Sequence, residues 1–168
     1  MSEKIYNFIL PLNLNSEEFE TISISQEIIT KMETLANMYE DVIDDDTSSP
    51  MTFPYNNITS KVFKEIIEYY QHYLDNGPEP EGKNLTNWDR QFLDNIRVVN
   101  IESETIQPIL SFIEAADFLG CVRLVNMGCK YVAENIKDKT PEELRQFFNI
   151  ENDFTPEEEK EIEKELSI

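Results

Sequence analysis

Residues 140–159 read TPEELRQFFNIENDFTPEEE, the most telling run in the chain. It holds two similar helix starts. Thr140-Pro141-Glu142-Glu143 and Thr155-Pro156-Glu157-Glu158 each offer an N-cap threonine, proline at the first helical position and glutamate at the third. The repetition signals two helices, not a repeat protein. The first start is followed by Leu144, Phe147 and Phe148, and then by Ile150 and Phe154. Just upstream lie Val125, Met127, Val132 and Ile136. Short helices cannot bury so many apolar groups among themselves. Each fully buried Leu, Ile or Phe contributes roughly 1.5–3 kcal/mol, and an apolar set left uncovered marks a partner surface.

Working back towards the N-terminus, residues 122–136 carry Val122, Val125, Cys129, Val132 and Ile136 on one helical stripe. Residues 105–119 predict another helix, capped by Thr105, with Pro108 in its first turn and Gly120 ending it. Trp88–Leu93 predicts a short helix, and residues 98–101 a short strand or covering loop. Residues 58–74 form a strong amphipathic helix capped by Thr59, with His72 near its surface end. Residues 8–14 and 18–24 predict a hairpin, 25–38 a helix capped by Ser25, and 51–55 a short strand. The acidic stretches near 40–50 and 75–87 predict flexible loops. Asp44-Asp45-Asp46 lacks the alternating ligands, glycine and distal glutamate of a calcium loop.

Composition narrows function. The chain has 168 residues, 34 Asp and Glu against 14 Lys and Arg, and a formal net charge of −20. Such a polyanion repels nucleic acid and anionic membrane surfaces. No apolar run approaches the roughly 20 residues that span a bilayer, and Met1-Ser2-Glu3-Lys4 lacks a secretory pattern. Cys121 and Cys129 match no disulfide or zinc framework and read as two core thiols in a reducing compartment. With one histidine and four glycines, the chain offers no triad, no paired-His metal site and no phosphate-cradling loop. No cofactor is expected. A binding module is the better class.

The run at 140–159 closely resembles the signature of Skp proteins, the adaptors of SCF (Skp–cullin–F-box) ubiquitin ligases. Residues 129–137 (CKYVAENIK), 115–119 (AADFL) and 88–93 (WDRQFL) fit the same family in order and approximate spacing. The resemblance covers most of the chain, densely after Trp88 and loosely before Ser60. It implies an α/β fold: a BTB/POZ-like domain, a small sheet with packed helices, over 1–120. C-terminal helices over 121–168 would extend it and form an F-box-binding surface. It implies no catalysis, location in cytoplasm and nucleus, and two partners. Val125, Val132, Ile136, Leu144, Phe147, Phe148, Ile150 and Phe154 would face the F-box protein. Asp117 and Phe118 fall in the cullin-facing segment, where the family commonly has Asn-Tyr, and Ile58 and Phe63 are further candidates for that face. Free Skp-like proteins can self-associate through apolar surfaces, which allows a homodimer in the absence of partners.

The sequence also departs from that pattern. Residues 94–104 are longer than the usual connection. The chain ends Glu165-Leu166-Ser167-Ile168, where family members usually continue as Glu-Asn-x-Trp. Pro156 occupies the position that is hydroxylated and glycosylated in Skp-like proteins of some protists; an unmodified first-turn proline is the plainer expectation. Asp117 and the short tail support an alternative, a divergent Skp-like protein that binds F-box proteins outside a cullin ligase. An Elongin-C-like adaptor is a third reading, disfavoured because that smaller relative lacks the terminal helices. An enzyme ranks last.

Overall fold

The computed structural model describes residues 4–14, 16–40, 50–53, 57–81, 84–98 and 105–166. Three strands form one sheet. Strand β1 (Ile5–Pro11) pairs antiparallel with β2 (Phe19–Ser25) and parallel with β3 (Met51–Thr52), giving the order β2-β1-β3. The period-two pattern puts Tyr6, Phe8 and Leu10 on one face, with Ile22 opposite Phe8 and Ile24 opposite Tyr6. All five are buried, so this face forms the floor of the core.

The helix predicted over 25–38 is two helices, α1 (Gln26–Ile29) and α2 (Glu33–Glu40). Ser25 caps α1 as expected, its Oγ accepting from the Ile28 N–H at 3.5 Å. The break follows from local competition for hydrogen bonds. The Thr30 hydroxyl donates to the Glu27 carbonyl at 2.6 Å, and Lys31 and Met32 close tight three-residue turns onto Ile28 and Ile29. The bend leaves Ile28, Ile29, Met32 and Leu35 all buried.

Helix α3 (Ser60–Asn76) starts at Thr59, whose Oγ1 accepts from Val62 N–H at 3.4 Å. It buries Phe63, Ile66, Tyr69 and Tyr70, with Phe63 against Phe8 of the sheet and Tyr69 against Trp88 and Phe92. Helix α4 (Asn87–Val98) runs about a turn beyond the expected Trp88–Leu93 and buries Phe92, Leu93 and Ile96. The strand or loop expected at 98–101 lies outside the described residues, apart from Val98, which ends α4. The Asp44-Asp45-Asp46 loop also lies outside them.

Helix α5 (Gln107–Phe118) begins later than predicted, and Thr105 does not cap it. Thr105 is buried, and the Ile106 N–H is taken by the Phe147 carbonyl at 3.0 Å. Gly120 ends α5 as read, at φ +72°, and the Cys121 N–H reaches back to the Ala116 carbonyl at 2.8 Å. The exposed carbonyls at this helix end meet the exposed amides at the start of α2. Thr34 N–H donates to Leu119 O at 3.2 Å, and its hydroxyl to Phe118 O at 2.6 Å.

Helix α6 (Val122–Ile136) packs on α5 through Leu124, Met127, Gly128 and Tyr131. A Cβ at Gly128 would stand 2.4 Å from Ile113 Cγ1, so glycine sets the closeness of the two helices. The hydrophobic core therefore runs without a break across the expected 120/121 boundary. Helices α7 (Pro141–Phe148) and α8 (Pro156–Leu166) complete the chain.

Candidate protein-docking site

Helix α6 has three faces, and their division creates the site. Its inner face is in the core. Its flank is tied to α4 by three polar pairs: Arg90 with Glu134, Tyr131 hydroxyl to Asp94 at 2.5 Å, and Arg97 to Asn135 at 3.2 Å. The Arg90 hydrogen bond holds the Glu134 carboxyl below the usual carboxylate range. Burial, with the Asp94 hydrogen bond next, raises the Tyr131 phenol. These ties fix the rotation of α6 about its own axis. What remains is the stripe Val122, Val125, Cys129, Val132 and Ile136, with Val122 67 % exposed, Cys129 exposed and the other three half-buried. Cys129 thus corrects the expectation of two core thiols; only Cys121 is buried.

The start of α6 is held by a buried ionic network. Asp89 is fully buried on α4. Its carboxylate accepts from Thr86 N–H at 2.8 Å, Tyr73 hydroxyl at 2.8 Å and Arg123 Nη2 at 3.0 Å. Asp89 N–H returns a bond to Thr86 Oγ1 at 3.0 Å, forming a reciprocal helix cap. Arg123 also donates to the Asn84 carbonyl and the Tyr69 hydroxyl, so the end of the 75–87 loop is pinned to α6. His72, expected at the surface, is half-buried, its ring stacked 3.6 Å from that of Trp88.

Helix α7 carries the capping box that the sequence announced: Glu143 N–H to Thr140 Oγ1 at 3.3 Å, and Thr140 N–H to Glu143 Oε2 at 2.8 Å. Asn149 stops it in the left-handed region at φ 54°, and Ile150 N–H bonds back to Arg145 O at 2.8 Å. Thr155 and Glu158 repeat the cap at α8, with bonds of 2.8 and 3.4 Å. Glu159 joins the two helices through Asn152 at 2.7 Å and Arg145 at 3.8 Å.

The eight residues assigned to this surface divide by exposure. Ile150 and Phe154 stand out at 59 % and 47 %. Val125, Val132, Ile136, Leu144 and Phe148 are half-buried. Phe147 is different: at 6 % exposed it belongs to the core, its ring edge-on to Phe148 at 5.4 Å with Lys139 above it. Its position at i+3 from Leu144 gave no sign of this, because the anchor is tertiary, the bond from Ile106 N–H to the Phe147 carbonyl. In helices α6 and α8, the exposed Val122 and Ile162 had no assigned role. Val122 was legible as part of the stripe; Ile162 is isolated among acids and gives no periodic signal.

On the opposite segment, Asp117 is exposed and Phe118 half-buried, tilted against Phe53 at 6.4 Å. Ile58 and Phe63 are 1 % and 0 % exposed and offer no surface to a partner; Phe63 packs against Phe8 and Phe53. They were candidates through the resemblance alone, by their place near the start of α3, and burial removes them. A second apolar group, Leu12, Leu14 and Phe19, is exposed around the turn between β1 and β2. Pro156 is exposed at the first turn of α8.

One face of α6 lies in the core and an apolar stripe on another is left partly exposed, the kind of surface that marks partner sites in proteins generally. Two family models match the chain: the Skp1 family tetramerisation domain over residues 11–75 and the Skp1 family dimerisation domain over residues 122–167. The chain is 37 % identical to SKP1-like protein 11 of Arabidopsis thaliana over 153 residues, 90 % of this chain and 91 % of that one. It is 38 % identical to the SCF ubiquitin ligase complex protein SKP1a of Dictyostelium discoideum over 156 residues, 92 % of each. It is 32 % identical to the E3 ubiquitin ligase complex SCF subunit sconC of Arthroderma benhamiae over 163 residues, again 92 % of each. The chain belongs to the Skp1 family. Its fold is a POZ-type α/β domain with a small three-stranded sheet, extended by C-terminal helices.

Proposed function

We propose that this chain is a non-catalytic adaptor of an SCF-type ubiquitin ligase, bridging a cullin to F-box proteins. The observation that carries the proposal is the partly exposed apolar stripe of α6 together with the exposed Ile150 and Phe154, on a member of a family whose relatives are named as SCF subunits. The F-box would dock on this face, with a few central apolar anchors supplying most of the binding energy. The cullin would dock near Asp117 and Phe118. The adaptor makes and breaks no bond; it sets distance and orientation between substrate receptor and scaffold.

The test is a titration of the purified chain with an F-box module. Ile150→Ala and Phe154→Ala remove exposed side chains, so stability should change by no more than about 0.5 kcal/mol, while F-box affinity should fall by about 1 kcal/mol or more each. Phe147→Ala should instead lower stability by about 3–5 kcal/mol as a core truncation. A folded chain that binds no F-box module, or binds as well after both exposed truncations, refutes the assignment. The exposed carboxylate of Asp117 favours a second reading, an F-box-binding protein outside a cullin ligase. Formation of a ternary complex with a cullin N-terminal domain decides between them.

A further inference from the structure

The C-terminal end of α3 borders a cavity of about 250 Å³ that shares no residue with the docking surface. Its walls are Tyr70, Tyr73, Leu74 and Pro78, Glu79 lines it, and Lys31 stands at its rim. The Oε1 atom of Glu79 is buried and has no hydrogen-bond partner among the described residues. A buried carboxylate oxygen without a donor is the exception in folded proteins and asks for an occupant that supplies one. Glu79 also bears on Tyr70 in the cavity wall and on Cys121, which does not line the cavity. Burial first, and the Glu79 carboxylate in addition, pushes the Cys121 thiol up to about 11; burial, then Cys121, then Glu79 raise the Tyr70 phenol.

We infer that this cavity receives an arginine side chain presented by a protein partner. The ligand must bring a cation to Glu79 and apolar or planar surface to two tyrosines, a leucine and a proline. A guanidinium does both: it donates a fork of hydrogen bonds to a carboxylate and stacks on aromatic rings, and it is more weakly hydrated than an ammonium. The methylene stem covers the aliphatic wall. A net charge of −20 draws basic partners towards the chain at long range. Lys31, the one cation among the described residues that line the cavity, lowers the affinity of the site for a second positive charge. The inference does not rest on the adaptor reading; failure of F-box binding would leave it intact.

The experiment titrates the isotopically labelled full chain with N-acetyl-arginine methylamide and, separately, with its uncharged isostere N-acetyl-citrulline methylamide. The amide signals of Gly77 and Glu79 report binding. The arginine probe should give saturable shifts and the citrulline probe none. Glu79→Gln should weaken binding by about tenfold or more, the loss expected for one charge-assisted pair, and Lys31→Ala should tighten it. The inference is overturned if the arginine probe gives no saturable shift, if both probes act alike, or if Glu79→Gln binds as the wild type does.

Discussion

Replacing Gly128 by alanine tests the contact that sets how closely α6 lies on α5. In an exposed helix interior this change gains about 0.8–1 kcal/mol from propensity alone. Here the new Cβ would stand 2.4 Å from Ile113 Cγ1 and 2.9 Å from its Cδ1, against an optimal carbon–carbon separation of about 3.5–4.0 Å. Ile113 cannot readily turn away, because a β-branched side chain in a helix keeps essentially one χ1 rotamer. Overpacking of this kind costs about 1–3 kcal/mol, and a clash at a stiff Cγ belongs in the upper half of that range. The net expectation is a loss of about 1–2 kcal/mol, the reverse of the propensity effect. Urea unfolding followed by far-ultraviolet circular dichroism measures it as a lowered midpoint at unchanged slope. Ile113→Ala removes the obstructing atoms, so the double variant should lose about 1 kcal/mol or more less than the two single losses added together. A Gly128→Ala protein as stable as the wild type, or strictly additive losses, would show that the two helices separate freely and that glycine does not set their distance.

Two further outcomes follow from buried charges. Asp89→Ala leaves Arg123 facing a cavity and strips Tyr73 and the Thr86 amide of their acceptor; the expected cost is about 3–5 kcal/mol, read by the same unfolding assay, and a loss below about 1 kcal/mol would mean the network is not structural. Burial raises the Glu65 carboxyl from 4.5 to about 7, with Lys61 at 3.8 Å opposing and Glu68 adding to the rise. The folded state then holds a proton that the unfolded chain has released, so wild-type stability should fall as pH rises from 4.5 to about 7 and level off above. Glu65→Gln should flatten that part of the profile and be the more stable protein at pH 8; identical profiles would place the carboxyl in solvent.

Much of the site was legible because its signals are local. A threonine, a proline and a glutamate three residues on make a helix start through bonds among adjacent residues, and Thr140 and Thr155 behave as their neighbours dictate. The stripe on α6 was also legible, since periodicity alone places Val122, Val125, Cys129, Val132 and Ile136 together. Thr105 failed as a cap for the opposite reason. The Phe147 carbonyl, some forty residues away in sequence, takes the amide beside it, and no local pattern encodes that. The break at Thr30–Met32 is made by local bonds, the Thr30 hydroxyl to the Glu27 carbonyl among them, but the apolar periodicity over 25–38 does not register it.

By itself, then, the sequence determined the helix starts at Ser25, Thr59, Thr140 and Thr155, the hairpin, the apolar stripe and, through runs such as 140–159, the Skp-like resemblance. Only the tertiary structure decided which apolar residues are core and which are surface. Hydrophobicity measures the tendency to leave water and carries no address. Phe147 and Ile150 lie three residues apart and are similarly apolar, yet one is sealed against the core and the other stands in solvent. The difference is made by elements remote in the chain: the Ile106 amide, just before α5, ties down the backbone of Phe147, and Gly128 lets α6 lie close enough to α5 to hide one of its faces.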